Sequence, residues 1–323
     1  TSPAGSRRFG YVPALDGLRG LAVTAVLLYH ADVAWMRGGF LGVDAFFVLS
    51  GYLITTLVVR EHAERGGVDL RAFWARRAVR LLPALFALVA VLVTWVAFFP
   101  SGREIGRDIV GALGYVTNWQ LVAGGESYFD QFAAPSPLQH AWSLAIEEQF
   151  YLVWPLVAVA ALGRARSLSR LAGVALAGAV LSAVWMAVLF DPATDPSRLY
   201  YGTDTRAQSL LVGAAAAVLA ARWPHGSIRS ARLGLRTGAL IVLPLLFIAW
   251  VTVDDTEPVL YRGGFLLAAL AVAVVVLAAS QPGPNPLRDA LAWSPFVTVG
   301  VLSYGLYLWH WPIYLVLNQD STG

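Results

Sequence analysis

The sequence predicts an all-α fold, a polytopic bundle of transmembrane helices, and three observations predict it. Of the 323 residues, 58% are hydrophobic and only 13% are charged, whereas a soluble domain carries about 25% charged residues. Several stretches run for about 17–25 mainly apolar residues, enough to cross a ~30 Å hydrocarbon core as helices. Runs such as Leu85–Phe99 and Phe265–Ala279 do not alternate apolar with polar side chains, as the strands of a membrane β-barrel do. A helix is then the form that satisfies its backbone hydrogen bonds within one segment.

Taken in order, nine crossings are expected, at residues 13–34, 40–59, 79–99, 146–162, 171–190, 206–221, 237–253, 263–280 and 297–317. Segment 105–123 is a tenth candidate, but Arg107, Asp108, Asn118 and Gln120 make it a poor lipid-facing span. Loop charge decides its treatment through the positive-inside rule. Segments 60–80, 163–170 and 222–236 are Arg-rich, while 124–146 and 254–262 lean acidic. If 105–123 crossed, Arg164, Arg166 and Arg170 would face outward. If it does not, the Arg-rich loops all fall inside with Arg7 and Arg8. Segment 105–123 therefore reads as a re-entrant or interfacial helix on the outer side, with the N-terminus cytoplasmic. The whole of 1–323 reads as one transmembrane domain, with no soluble domain and no internal repeat, and segment 100–145 as a cap on the outer face.

Composition removes several chemistries. There is no cysteine, so disulfides, thiolate catalysis and cysteine metal sites are excluded, and no metal is expected. All 23 basic residues are arginine, which excludes lysine Schiff-base chemistry. The net charge of +3 comes from arginines in short loops between apolar spans, so the expected partner is the lipid bilayer and not nucleic acid.

Ionisable groups inside a bilayer are costly and are functional candidates by default. Arg19 and His30 are 11 residues apart on the first helix. At 100° per residue they lie within about 20° of one face and about 16 Å apart along the axis. Arg19 falls towards the inner end and His30 towards the outer end. Asp44, near the outer start of the second helix, is expected level with His30. A carboxylate beside an imidazole fixes its tautomer and stabilises the imidazolium, so His30 and Asp44 read as a general base and its orienter. In a soluble core a satisfied packing histidine would be the better reading; membrane depth and a nearby acid favour function.

Glu147 and Glu148 are read as opening a membrane helix at its outer end. One of them could be a charge on the helix N-terminus. Adjacent residues differ by 100°, so one is expected to face the bundle and the other the interface; either could reach the active site beside His30. Arg77 and Arg80, three apart at an inner helix start, share a face and would clamp phosphates, although positive-inside topology alone also explains arginines there. His310, flanked by Trp309 and Trp311, fits an interfacial aromatic belt or a substrate site.

The ordered pieces are Leu15-Asp16-Gly17-Leu18-Arg19-Gly20, the Arg19/His30 pair, Gly39 to Tyr52, the Arg77/Arg80 pair, His140-Ala-Trp142-Ser143-Leu144 to Tyr151, and Tyr307-Leu-Trp309-His310-Trp311-Pro312. Together they resemble the family 3 membrane acyltransferases, which include O-acetyltransferases of lipopolysaccharide O-antigen and of peptidoglycan. The resemblance covers nearly the whole chain. It implies an acyltransferase in a bacterial inner membrane that moves an acyl group, acetyl being the commonest, from cytoplasmic acyl-CoA to a hydroxyl of an extracytoplasmic glycan or glycolipid. It implies His30 as the catalytic residue, with Arg19, Arg77 and Arg80 tied to the donor. Asp44, Glu147 and Glu148 stand beside His30 as catalytic candidates. Tyr151, Trp142, His310 and Asn118 are the candidates for contacting substrate. It also implies one more helix after the Trp-His-Trp-Pro segment, which this sequence does not include. Two rivals stay open: acylation of a small secreted metabolite, and a transporter or flippase for an envelope precursor, whose buried Arg, His and Asp would form a pathway.

Overall fold

A computed structural model describes residues 11–98, 105–129, 136–163, 167–222, 229–281 and 283–319, with the side chains of 229–232 and 318–319 excepted. Arg7, Arg8, Arg164 and Arg166, on which the expected orientation partly rests, lie outside the described residues, as does Phe99. The described residues are helical with no strand. The helices are α1 (Pro13–His30), α2 (Gly42–Arg65), α3 (Leu70–Phe98), α4 (Gly106–Leu113), α5 (Thr117–Gly124), α6 (Ala141–Leu162), α7 (Leu168–Leu189), α8 (Ser197–Tyr201), α9 (Thr203–Arg222), α10 (Arg229–Thr252), α11 (Phe265–Ala279), α12 (Pro286–Leu291) and α13 (Ser294–Gln319).

Each stretch expected to cross falls on one of these helices. Among the described residues, six helical stretches are long and apolar enough to span a bilayer: Gly39–Arg65, Leu70–Phe98, Ala141–Leu162, Leu168–Leu189, Leu233–Thr252 and Leu260–Ala279. α1, α9 and α13 are not among them; α1 packs along α13 and α9 along α2, and α1 and α9 are largely buried while α13 exposes Val301, Leu302, Ile313 and Leu317. α3 and α10 are at the perimeter, and many of their large apolar side chains, such as Phe86, Val91, Ile241 and Phe247, are exposed.

Lipid tails are as apolar as leucine, so helices in a membrane gain by close approach of small residues and not by leaving lipid. The two central pairs show this. A Cβ on Gly300 of α13 would lie 1.7 Å from the Asp16 carbonyl oxygen of α1, and one on Gly51 of α2 would lie 1.8 Å from that of Leu210 on α9. Any side chain at these positions forces the backbones apart. The same contacts fix the positions of Arg19 and His30 on α1 and of Ser50 on α2.

Three expectations change here. First, α2 does not start level with His30. A Cβ on Gly39 would lie 2.3 Å from the Ala25 carbonyl oxygen, and one on Gly42 would lie 2.5 Å from that of Ala22. The chain after His30 therefore folds back along α1, and α2 begins beside Ala22, about 12 Å of helix rise below His30. Second, α6 starts at Ala141 and not at 146. Glu147 and Glu148 stand beyond its first turn, so neither is a capping charge. Third, segment 105–123 is two helices, α4 and α5, of eight residues each. Each rises about 12 Å, too short to cross.

Candidate active site

Two prolines open the helices on which the site is built. Pro312 lies inside α13 and has no N–H, so the carbonyl of Leu308, four residues earlier, loses its helical donor. His140, immediately before α6, takes that place, its Nε2 donating to the Leu308 oxygen at 3.1 Å. Pro155 does the same inside α6. It leaves the Tyr151 carbonyl to the indole N–H of Trp74 on α3, which donates at 3.0 Å. The first bond ties the start of α6 to α13, and the second ties the middle of α6 to α3.

The turn of α13 before Pro312 meets the end of α1. His310 Nδ1 lies 2.6 Å from the carbonyl oxygen of Tyr307, and His310 Nε2 lies 2.9 Å from His30 Nδ1. His30 Nε2 lies 3.0 Å from the Tyr128 hydroxyl. The two imidazoles stack with centroids 5.0 Å apart, and the edge of Trp311 closes on His30 at the same separation. The Tyr307 hydroxyl donates to the His140 carbonyl at 3.0 Å and lies 2.6 Å from Ser143 Oγ. Tyr128 is braced by the rings of Trp142, Tyr200 and Tyr201. All of these groups are neutral donors or acceptors, and among the described residues no carboxylate bonds to either histidine.

Towards the opposite end of the bundle lies a cavity of about 480 Å³. Arg19, Arg60, Arg77 and Arg80 line it together with Ser50, Glu147, Glu148 and Tyr151. Arg77 places its guanidinium over the Tyr151 ring at 4.2 Å and the Phe73 ring at 4.8 Å. Ser50 donates to Glu147 Oε1 at 2.9 Å and accepts from the Tyr151 hydroxyl at 2.7 Å. Arg19 pairs loosely with Asp16 at 3.6 Å. The lining continues to Phe46, Leu85, Ala112, Ala141 and Leu144. His30 is not part of it, but Ala141 adjoins His140, whose ring packs against His310 at 5.5 Å.

Comparison with known proteins decides the family. Residues 12–322 match the family 3 model described as an acyltransferase domain. The chain belongs to the family 3 acyltransferases. It is 42% identical over 311 residues to the YrhL protein of Bacillus subtilis strain 168, covering 94% of this chain and 48% of that protein. It is 41% identical over 310 residues to the peptidoglycan O-acetyltransferase OatA of Listeria monocytogenes, covering 94% and 49%. It is 38% identical over 320 residues to the O-acetyltransferase OatA of Staphylococcus aureus, covering 96% and 51%. The chain thus spans about half the length of these relatives. No solved structure matches it.

Within this family 3 domain the expected site residues separate into groups. His30 and His310 come together. Arg19, Arg77, Arg80, Glu147, Glu148 and Tyr151 come together in the cavity, and both glutamates line it. A wide cavity spans the 100° between neighbours, so the expected split of one glutamate to the bundle and one to the interface is corrected. Neither glutamate bonds to His30. Asp44 is corrected as well: it is paired with Arg206 of α9 at 2.9 Å and accepts from Ser209 at 2.8 Å, and both charges are fully buried. Trp142 is packed behind Tyr128, outside the cavity lining. Asn118 is a buried tie between helices. Its Nδ2 donates to the Tyr201 carbonyl and to Thr203, and its Oδ1 accepts from Gln149 at 3.0 Å.

Sequence reasoning misses Arg206, Tyr128, Ser50 and the role of His140. Arg206 opens an expected crossing, where a boundary arginine is ordinary, and Tyr128 lies in a loop with no periodicity. The Pro312 spacing did carry a signal for His140, because a proline inside a membrane helix requires a donor from elsewhere.

Proposed function

We propose that this chain is the membrane domain of an O-acyltransferase of the bacterial cell envelope. It would move an acyl group, acetyl by its likeness to the relatives named O-acetyltransferases, from an acyl-CoA thioester to a hydroxyl of an extracytoplasmic glycan. The Listeria relative is named as a peptidoglycan O-acetyltransferase, and peptidoglycan is the acceptor proposed here. The reading places nine crossings in the inner membrane, with the N-terminus and the Arg-lined mouth cytoplasmic.

The observation that carries the reading is the cavity lined by four arginines and by Ala141, whose chain neighbour His140 packs against the histidine cluster on α1 and α13. Guanidinium groups suit phosphates, which they bind bidentately, so Arg77 and Arg80, with Arg19 and Arg60, would hold the anionic head of the donor. The narrow acyl-bearing arm would extend past Ser50 and Glu147 towards His30. There the acceptor hydroxyl attacks the thioester carbonyl while His30 removes its proton. The C–S bond breaks, and the leaving thiolate takes that proton from His30.

The test is mass spectrometry of envelope glycans from a deletion strain carrying the full-length protein or its His30→Ala variant. Acyl esters should return with the wild type and stay absent with the variant at equal protein level. Esters restored by the variant overturn the role of His30. Wild-type membranes that transfer no label from radioactive acetyl-CoA to glycan overturn the donor.

A further inference from the structure

The histidine cluster determines where its own hydrogens are. A carbonyl oxygen only accepts, so His310 Nδ1, at 2.6 Å from the Tyr307 oxygen, carries a hydrogen. A neutral His310 then presents a lone pair at Nε2. His30 Nδ1 is 2.9 Å from that lone pair and has to be the donor. This leaves His30 Nε2 as the free base, and the Tyr128 hydroxyl at 3.0 Å donates to it.

We infer that His310 is a positioning residue that holds His30 in its Nδ1–H tautomer, making Nε2 the basic atom. The inference rests on the reading of His30 as the base. The Tyr128 hydroxyl marks the position an acceptor hydroxyl takes when it gives up its proton to Nε2. The arrangement does the work a carboxylate does in a hydrolase triad, with one difference. A carboxylate balances the imidazolium by charge. Here, when Nε2 gains a proton, the Nδ1 proton can pass along the 2.9 Å bond to His310 Nε2. His310 is then the imidazolium, its Nδ1–H still bonded to the Tyr307 carbonyl. One positive charge is shared by two rings, and no buried anion is needed. Without His310, a neutral imidazole favours hydrogen on Nε2, the wrong tautomer for a base at that atom.

The expectation can be read directly in the full-length protein in nanodiscs, labelled with 15N histidine. With five histidines in this chain, the signals of His30 are assigned as those lost in His30→Gln. The expected result is a protonated Nδ1 and an unprotonated, pyridine-like Nε2 for His30. His310→Leu should move His30 towards Nε2–H and lower glycan esters in the rescued strain about tenfold or more, since a wrong tautomer disables a base. His310→Gln has an amide oxygen that can accept from His30 Nδ1–H, and it should restore part of both signals; a structural packing role would not give that rescue. A wild-type His30 found with hydrogen on Nε2, or a tautomer unchanged by His310→Leu, overturns the inference. The wild-type spectrum decides even where a variant fails to fold. An active His30→Ala protein would overturn the catalytic reading while leaving the tautomer result standing, so the two failures are distinguishable.

Discussion

The histidine cluster and the arginine cavity are both polar regions inside one bundle, yet they are built on opposite principles. Around His30 every partner is neutral: two imidazoles, a phenol and a backbone carbonyl, in a chain of bonds with one allowed direction. In the cavity ionisable side chains predominate, and their pairings vary: Arg19 lies 3.6 Å from Asp16, Arg60 is bonded to Glu64 at 2.7 Å, and Ser50 donates to Glu147 at 2.9 Å. A base that gains and loses a proton needs its imidazolium stabilised, and here two rings sharing the proton would do so in place of a buried carboxylate. If the cavity binds an anionic donor as proposed, arginines in contact with water would suit it, because ion pairs there are weak and exchangeable. A third polar pair, Asp44–Arg206, shows what a committed charge pair looks like in this fold. It is fully buried, and Arg206 also lies over the Phe265 face at 4.1 Å.

The largest expected effect breaks the comparison at the histidine end. His30→Ala should lower transfer by about 10²–10⁴-fold, the usual contribution of a general base, while donor binding, measured by equilibrium dialysis of acetyl-CoA, stays unchanged. Asp44→Ala tests the committed pair. It leaves Arg206 buried and uncompensated, which costs about 3–5 kcal/mol, read as a fall in thermal midpoint in detergent or nanodiscs. If Asp44→Ala instead abolished transfer at wild-type stability, Asp44 would belong to the chemistry and the division drawn here would fail. Arg77→Ala and Arg80→Ala come next. Each removes a charge-assisted contact of about 1.5–3 kcal/mol and should raise the dissociation constant for acetyl-CoA by about 10- to 100-fold. A loss of turnover at unchanged donor affinity would overturn the binding role.

Much of this was legible in the sequence, for a physical reason. A helix in lipid has to be apolar along its length, so the runs that became α2, α3, α7 and α11 could not read otherwise. Charged side chains at membrane depth are conspicuous, which is why Arg19, Arg77, Arg80, Glu147 and Glu148 were all visible, and all line one cavity. What stayed hidden were partners set by depth and by distant chain. Asp44 looked level with His30 because it stands near the start of the second helix, just after the loop that joins it to the first. Gly39 and Gly42 allow it to fold back along α1 instead. Arg206 is 162 residues from Asp44, and no spacing rule connects them. His310 was visible through its tryptophans, but its bond to His30 spans 280 residues and follows from the close approach of α1 and α13 at glycine.

The smallest effect sharpens the comparison at the level of the backbone. Pro155 removes the donor for the Tyr151 carbonyl, and Trp74 supplies one at 3.0 Å. Trp74→Phe keeps the ring contact but orphans that carbonyl, a cost of about 1–3 kcal/mol for a buried polar group left unpaired. Pro155→Ala gives the helix back its own N–H at position 155, which can reach the same oxygen. In that background the hydrogen-bond cost of Trp74→Phe should fall to nearly zero, so the two substitutions couple strongly in a double-mutant cycle. Thermal midpoints of the four proteins in nanodiscs give the coupling. Additive losses would mean that the indole N–H is not the surrogate for the missing proline hydrogen and that α3 is held to the cavity by packing alone. Strong coupling would identify the Trp74 bond as what keeps Arg77, one turn along α3, above the Tyr151 ring.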